Sequence, residues 1–233
     1  MKNKIVLPKI FDKETWEKMG SKPEWEQHIG KPRISYSQIN TWTNTSYEKY
    51  PKYAYITENF LGVPKNIPEA FGEFGGVVED YICYRKNDFG LKTSETKTLD
   101  KIKPLGTFQV PILLEFEGFV LIGYIDDRND KILRDYKTAS NSSKEQYLNG
   151  DYKQLHIYAL DDLLNKGKLV SKLEVVIIER LGNAFNGGGL SVGNEIWKKE
   201  FKPTKEELLE MRDKVQSITE EISEYYKVFL KMT

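Results

Sequence analysis

Gly123-Tyr124-Ile125-Asp126-Asp127-Arg128-Asn129-Asp130-Lys131-Ile132-Leu133-Arg134-Asp135-Tyr136-Lys137-Thr138 is the stretch on which the reading of this chain turns. Gly118 to Ile125 is nearly all apolar and reads as a strand, and Lys131 to Lys137 as the next. Asn129-Asp130 is a suitable tight turn between them. With that turn Asp126 pairs across from Leu133. Alternation along a strand then puts Leu133, Asp135 and Lys137 on one face, with Asp126 beside them. Asp135 becomes the diagonal neighbour of Asp126, roughly 7–8 Å away between backbone positions. Asp127 should face away, with a role in stabilising the turn.

Two carboxylates at that spacing can share a hard divalent cation, which takes oxygen ligands and keeps water in its other positions. Such an ion polarises a phosphate, acidifies a bound water and aligns the two, so the arrangement suits phosphodiester hydrolysis. Lys137 would project beside the ion, to position the water or to meet the charge that develops on phosphorus. Tyr136 would point into the core while its backbone carbonyl offers a further ligand. Thr138 and Ser140, just beyond, can donate to a substrate phosphate.

Outward from this hairpin the chain reads as α/β with a mixed central sheet flanked by helices. Residues 1–34 carry Trp16 and Trp25 among charges and prolines, and read as an N-terminal arm with a short helix; residues 35–233 read as one domain. Ser35 or Ser37 can cap a helix whose apolar side holds Ile39, Trp42 and Tyr50. A second helix is expected over Glu69–Lys86. Its Gly75 and Gly76 cost about 1 kcal/mol each relative to alanine, a cost that a close approach of another backbone would explain. Phe108, Val110, Ile112, Leu114 and Phe116 alternate as a strand. Gln146–Lys166 reads as a helix ended by Gly167, followed by strands over Lys172–Arg180 and Glu195–Phe201. Thr204 with Glu207 forms a capping box for a long helix to Lys231.

Composition narrows the field. The chain has 233 residues, 30% of them charged and 39% hydrophobic, with zero formal net charge. It is expected to be a folded domain whose grip on any polyanion comes from local patches. The single cysteine, Cys83, excludes an internal disulfide framework and an all-cysteine metal or iron–sulfur site. No apolar run approaches a membrane span and the first ten residues lack a signal-peptide core, so cytoplasmic residence is the expectation. Lys49 and Lys52, interleaved with Tyr50 and Tyr53, can pair with phosphates and stack on bases. His28 and His156 read as structural or exposed, and the Gly187-Gly188-Gly189 segment as a hairpin tip.

Gly-x-x-Asp on one strand followed by Asp-x-Lys on the next resembles the signature of the PD-(D/E)XK nuclease superfamily. The Asp135-Tyr136-Lys137-Thr138 string is similar to its RecB-like and phage-exonuclease-like branch. Three more features fit that branch: Glu79 one helical turn after Gly75, Gln154 and Tyr158 one turn apart on a following helix, and Ser35-x-Ser37 at a helix start. The resemblance spans about residues 35–160. It implies a restriction-endonuclease-like fold and a deoxyribonuclease, by preference an exonuclease of recombination, repair or phage DNA metabolism. It implies Mg²⁺ or Mn²⁺ held by Glu79, Asp126, Asp135 and the Tyr136 carbonyl, with Lys137 assisting the water. Thr138, Ser140, Gln154 and Tyr158 would contact substrate or support the site. Glu79 stands where many relatives have histidine, and no iron–sulfur cluster is expected. Single-stranded DNA or DNA ends would be the substrate, a recombination or replication protein the partner, and a bacterial or phage-infected cytoplasm the location. The competing reading is a catalytically silent module that keeps the fold and binds nucleic acid or a recombination partner. A third is an interaction protein whose charged hairpin is incidental.

Overall fold

The computed structural model describes residues 4–44, 50–64 and 67–233. In chain order its elements are α1 (Lys13–Lys18), α2 (Pro23–Glu26), β1 (Arg33–Ser35), α3 (Tyr36–Thr43), α4 (Pro51–Asn59), α5 (Ala70–Tyr84), α6 (Thr93–Leu99), β2 (Thr107–Phe116), β3 (Phe119–Arg128), β4 (Ile132–Ala139), α7 (Lys144–Leu148), α8 (Lys153–Lys166), β5 (Lys172–Leu181), a short 3-10 turn (Ala184–Asn186), β6 (Ser191–Phe201) and α9 (Lys205–Met232). Six strands form one mixed sheet. β2–β3, β3–β4 and β5–β6 run antiparallel, β1–β3 and β4–β5 parallel. Helices cover both faces, as the α/β reading expects. Among the described residues no helix is long and apolar enough to cross a membrane.

The two-residue period of the strands sorts their side chains into cores. Ile112, Leu114, Phe119, Leu121, Leu133, Leu173, Val175 and Ile177 join the main core, which also holds Trp42, Leu155, Val215 and Ile222 from α3, α8 and α9. On the opposite face Tyr136, Val176 and Ile178 pack against Val78, Tyr81, Ile82 and Cys83 of α5. Leu113, Val120 and Ile122 pack there against Phe11, Met19 and Trp25. The N-terminal stretch is therefore packed onto the sheet: Phe11 and Met19 are buried, and its last residues enter β1.

Several local expectations shift. The hairpin turn lies later than the sequence suggests. Asn129 N–H donates to the Ile132 carbonyl, and Asn129 Oδ1 accepts from the N–H groups of Lys131 and Ile132, so Asp130-Lys131 forms the tip. Arg128 pairs with Leu133 and Asp127 with Arg134. A shift of two residues leaves every side chain on its expected face, and the register now brings Asp126 level with Asp135.

The helix expected over Gln146–Lys166 is two helices. Lys199 Nζ donates to the carbonyls of Leu148 and Gly150, and Tyr152 takes a left-handed φ of 43°, so the chain turns between α7 and α8. Tyr50 is not on the apolar side of α3. It is exposed at the start of α4, where Pro51 opens the new helix. Ser35 stands at the N-cap of α3, where its N–H donates to Gln38 Oε1 at 3.0 Å. The Thr204–Glu207 box also forms, in both directions. No backbone approaches Gly75 or Gly76, since a Cβ at either would meet nothing within 4 Å. Both border an open cleft instead.

The alternation of β2 fails at one place. Val110 and its partner Ile125 pack on the main core, whereas Phe108 packs on the opposite one and Asp127 bonds Tyr136 there. Between them Gln109 has a φ of 47°, a left-handed conformation costly for a residue with a Cβ. No ladder pair joins it to Asp126.

Candidate active site

One edge of β3 builds the site. β1 pairs with Val120–Ile122 and β4 with Asp127 and Arg128, so among the described residues no strand lies beside Gly123 to Asp126 on that edge. Beyond the two pairs β4 leaves β3 and runs parallel to β5 along its whole length. Tyr158 of α8 closes the gap at Gly123. A Cβ there would lie 2.4 Å from Tyr158 Oη, so only glycine admits the ring. At the other end Asp126 Oδ2 accepts from Tyr136 N–H at 2.8 Å, a side chain standing in for the missing ladder bond. The Gly-x-x-Asp spacing thus spans the interval between a packed tyrosine and a splayed strand.

The gap opens into a cleft of about 230 Å³, lined by Gly72, Gly75, Gly76 and Glu79 of α5, by Asp126, Asp135, Tyr136, Lys137 and Thr138, and by Gln154 of α8. Of the residues singled out in the sequence, these seven with side-chain or backbone roles meet at one place. Tyr158 lies buried beneath them, its hydroxyl accepting from Gln154 Nε2 at 3.4 Å. Ser140 stands outside the lining, where its Oγ lies 2.9 Å from both Ser142 Oγ and Ser143 Oγ.

The charges are imperfectly matched. Lys137 Nζ lies 2.8 Å from both carboxylate oxygens of Asp135; Oδ1 accepts its bond, while the buried Oδ2 has no donor aligned with it. Burial, then the Asp135 and Glu79 charges, push the Asp126 carboxyl up to about 8. Burial raises Glu79 as well, against the pull of the Gln109 amide that donates to its Oε1. Burial disfavours the Lys137 ammonium, but Asp135 and Asp126 outweigh it and hold the pKa above the lysine range. Three acids therefore face one ammonium in a partly desolvated cleft.

An orphaned oxygen on Asp135 and a strained charge on Asp126 suit a hard cation. Among the described residues, however, no three histidine, cysteine, aspartate or glutamate side chains are grouped as a metal-ligand set. Glu79 is held by Gln109 rather than by its fellow acids. Two carboxylates with water and phosphate in the other positions fit a magnesium site, which seldom uses an all-protein cage.

Asp127 faces away from the cleft, as expected, but it does not serve the turn. It is fully buried and accepts from Leu105 N–H, Gly106 N–H, Arg134 and the Tyr136 hydroxyl. His28 is buried, and burial lowers its pKa. His156 Nδ1 lies 3.0 Å from the Tyr152 carbonyl, and the ring packs on Phe201. Lys52 is paired with Glu221 at the surface, Tyr53 is exposed, and Lys49 lies outside the described residues. Gln109 is the site residue that sequence reading misses. It sits in an alternating strand run, and nothing in its neighbours signals a left-handed backbone.

No family model matches the chain, and no curated protein does. Among solved structures, the crystal structure of a protein named "Putative exonuclease" from Eubacterium rectale is similar over 90% of this chain and 86% of that one, with a TM-score of 0.50 and 14% identity. At that identity the likeness bears on the fold, a mixed sheet between helices.

Proposed function

We propose that this chain is a metal-dependent deoxyribonuclease of the PD-(D/E)XK kind, acting as an exonuclease in recombination, repair or phage DNA metabolism. The observation that carries the reading is the meeting of Asp126, Asp135 and Lys137 in one cleft where β4 leaves β3. The name given to the Eubacterium rectale protein agrees with it.

A bound Mg²⁺ or Mn²⁺ would supply Lewis acidity toward a phosphate and an acidified water. Asp126 and Asp135 would hold it, with the Tyr136 carbonyl as a further ligand; Glu79 would join only on leaving Gln109. Lys137, kept protonated by its two acids, orients the attacking water or offsets the charge on the pentavalent phosphorus. Gln154 and Tyr158 hold the wall of the cleft opposite α5, and Thr138 offers its hydroxyl to a phosphate oxygen.

A gel assay with 5′- and 3′-labelled single- and double-stranded DNA in Mg²⁺, Mn²⁺ or EDTA, run beside Lys137→Ala, tests this. Metal-dependent cutting that the variant loses is the expected result, and the ladder distinguishes end-trimming from internal cuts. Cutting retained by Lys137→Ala overturns the assignment. Binding without cutting under every condition would favour the silent module.

A further inference from the structure

The chain has six arginines, all described. Five have an oxygen partner. Arg128 pairs with Asp162, Arg134 with Asp127 and Glu174, Arg85 with Asp100 and Arg212 with Asp213, while Arg33 donates to the Ile10 carbonyl. Arg180 has no hydrogen bond or ion pair among the described residues, and its Nε is buried without an acceptor. Leaving a desolvated guanidinium unpaired is costly. Its guanidinium lies over the ring of Phe71, whose centre is 4.3 Å from the guanidinium carbon. That contact supports the plane of the group and leaves its N–H edge uncommitted.

Position gives the unpaired cation meaning. Phe71 immediately precedes Gly72, which lines the cleft, and Ile178, two residues before Arg180, lines it too. Lys137 pairs with Ile177, so Arg180 stands three residues, about 10 Å, further along the strand direction than the lysine. The β4–β5 register ends with Thr138↔Ile178 and Ala139↔Glu179, so Ser140, with its hydroxyl cluster, and Arg180 each follow directly on the last pair. A planar fork of donors next to hydroxyls, with no protein anion in reach, matches a phosphate.

We propose that Arg180, backed by Phe71 and flanked by Ser140, binds a backbone phosphate of the substrate strand next to the one that is cut. The inference rests on the nuclease reading and adds the path by which the strand leaves the cleft: over the ends of β4 and β5, between α5 and α7. Arg180 does not touch the reacting atoms, so its contribution is to binding and register.

Fluorescence anisotropy with a labelled phosphorothioate single strand in Mg²⁺, over a series of salt concentrations, tests it. Arg180→Gln should weaken binding about tenfold, and the loss of one phosphate contact should reduce the slope of log K against log salt by about 0.7. Arg180→Lys should keep the slope and lose part of the affinity, because it keeps the charge without the fork; this variant decides the matter should Arg180→Gln fold poorly. On a cleavable strand KM should rise with kcat unchanged. Salt-dependent binding by the wild type with the same slope and affinity in Arg180→Gln would overturn the subsite and leave the nuclease reading standing. A wild type that binds no strand at all would remove both.

Discussion

Asp126 and Asp127 are neighbours in the chain and opposites in chemistry. Asp127, with Arg134, Tyr136 and Glu174, forms a buried network in which carboxylate meets guanidinium, hydroxyl and two backbone N–H groups. On the other face Asp126 has one backbone donor, Asp135 one ammonium, and the three acids share that single cation. The same two strands thus carry a completed set of polar partners and an incomplete one. Completed sets hold structure together, and an incomplete set in an open cleft is where an outside partner can enter.

The contrast can be attacked from both faces. The largest effect should come from the open one: Lys137→Ala or Asp135→Ala should reduce cleavage about 10³-fold or more while thermal melting stays cooperative. A loss of folding equal to the loss of activity would erase the distinction. Next comes the closed face. Asp127→Ala takes the acceptor from the Leu105 and Gly106 N–H groups and one of two carboxylates from Arg134, which keeps Glu174, and should lower stability by about 3 kcal/mol, read as a shift in the denaturant midpoint. A neutral result there would mean the network is dispensable.

The pH response sharpens the difference further. The folded chain raises Asp126 from 3.8 to about 8, so between those values it holds a proton that the unfolded chain releases. Stability of the metal-free protein should fall as pH rises through that window. Asp126→Asn should flatten the slope between pH 5 and 8; parallel curves for variant and wild type would contradict the unpaired-acid picture. Gly123→Ala should then cost about 1–3 kcal/mol through collision with Tyr158, and the added change Tyr158→Ala should remove most of that penalty in a double-mutant cycle. The smallest effect is at Gln109. Gln109→Gly relieves a left-handed backbone and should gain about 1 kcal/mol, with cleavage reduced because Glu79 loses its donor. A less stable variant would show that the conformation carries no strain.

What the residues disclose in advance follows from the range of the forces involved. Strand parity is local, so the faces of Asp126, Asp135 and Lys137 are legible even though the turn is misplaced by a step: the two-residue shift cannot change a face. Glu79, Gln154 and Tyr158 are singled out by the resemblance, and one-turn spacing, which is local too, puts Gln154 and Tyr158 on one helix face. The break after Leu148 depends on Lys199, some fifty residues away in the chain, and the packing of Phe11 and Met19 depends on β2 and β3. Gln109, the left-handed residue of β2, donates to Glu79, a partner thirty residues away in the chain. The isolation of Arg180 is a property of what surrounds it in space, and no spacing rule reports an absence of partners.

The bare face of α5 has a practical use. Cys83 is buried and burial drives its thiol pKa upward, so it is a poor target for alkylating dyes. Gly76 is exposed beside the cleft, where a side chain would meet no protein atom within 4 Å. A thiol introduced by Gly76→Cys would be the one readily labelled, and helix propensity favours the exchange. An environment-sensitive fluorophore attached there would report the arrival and departure of whatever enters the cleft in real time, without any need for turnover.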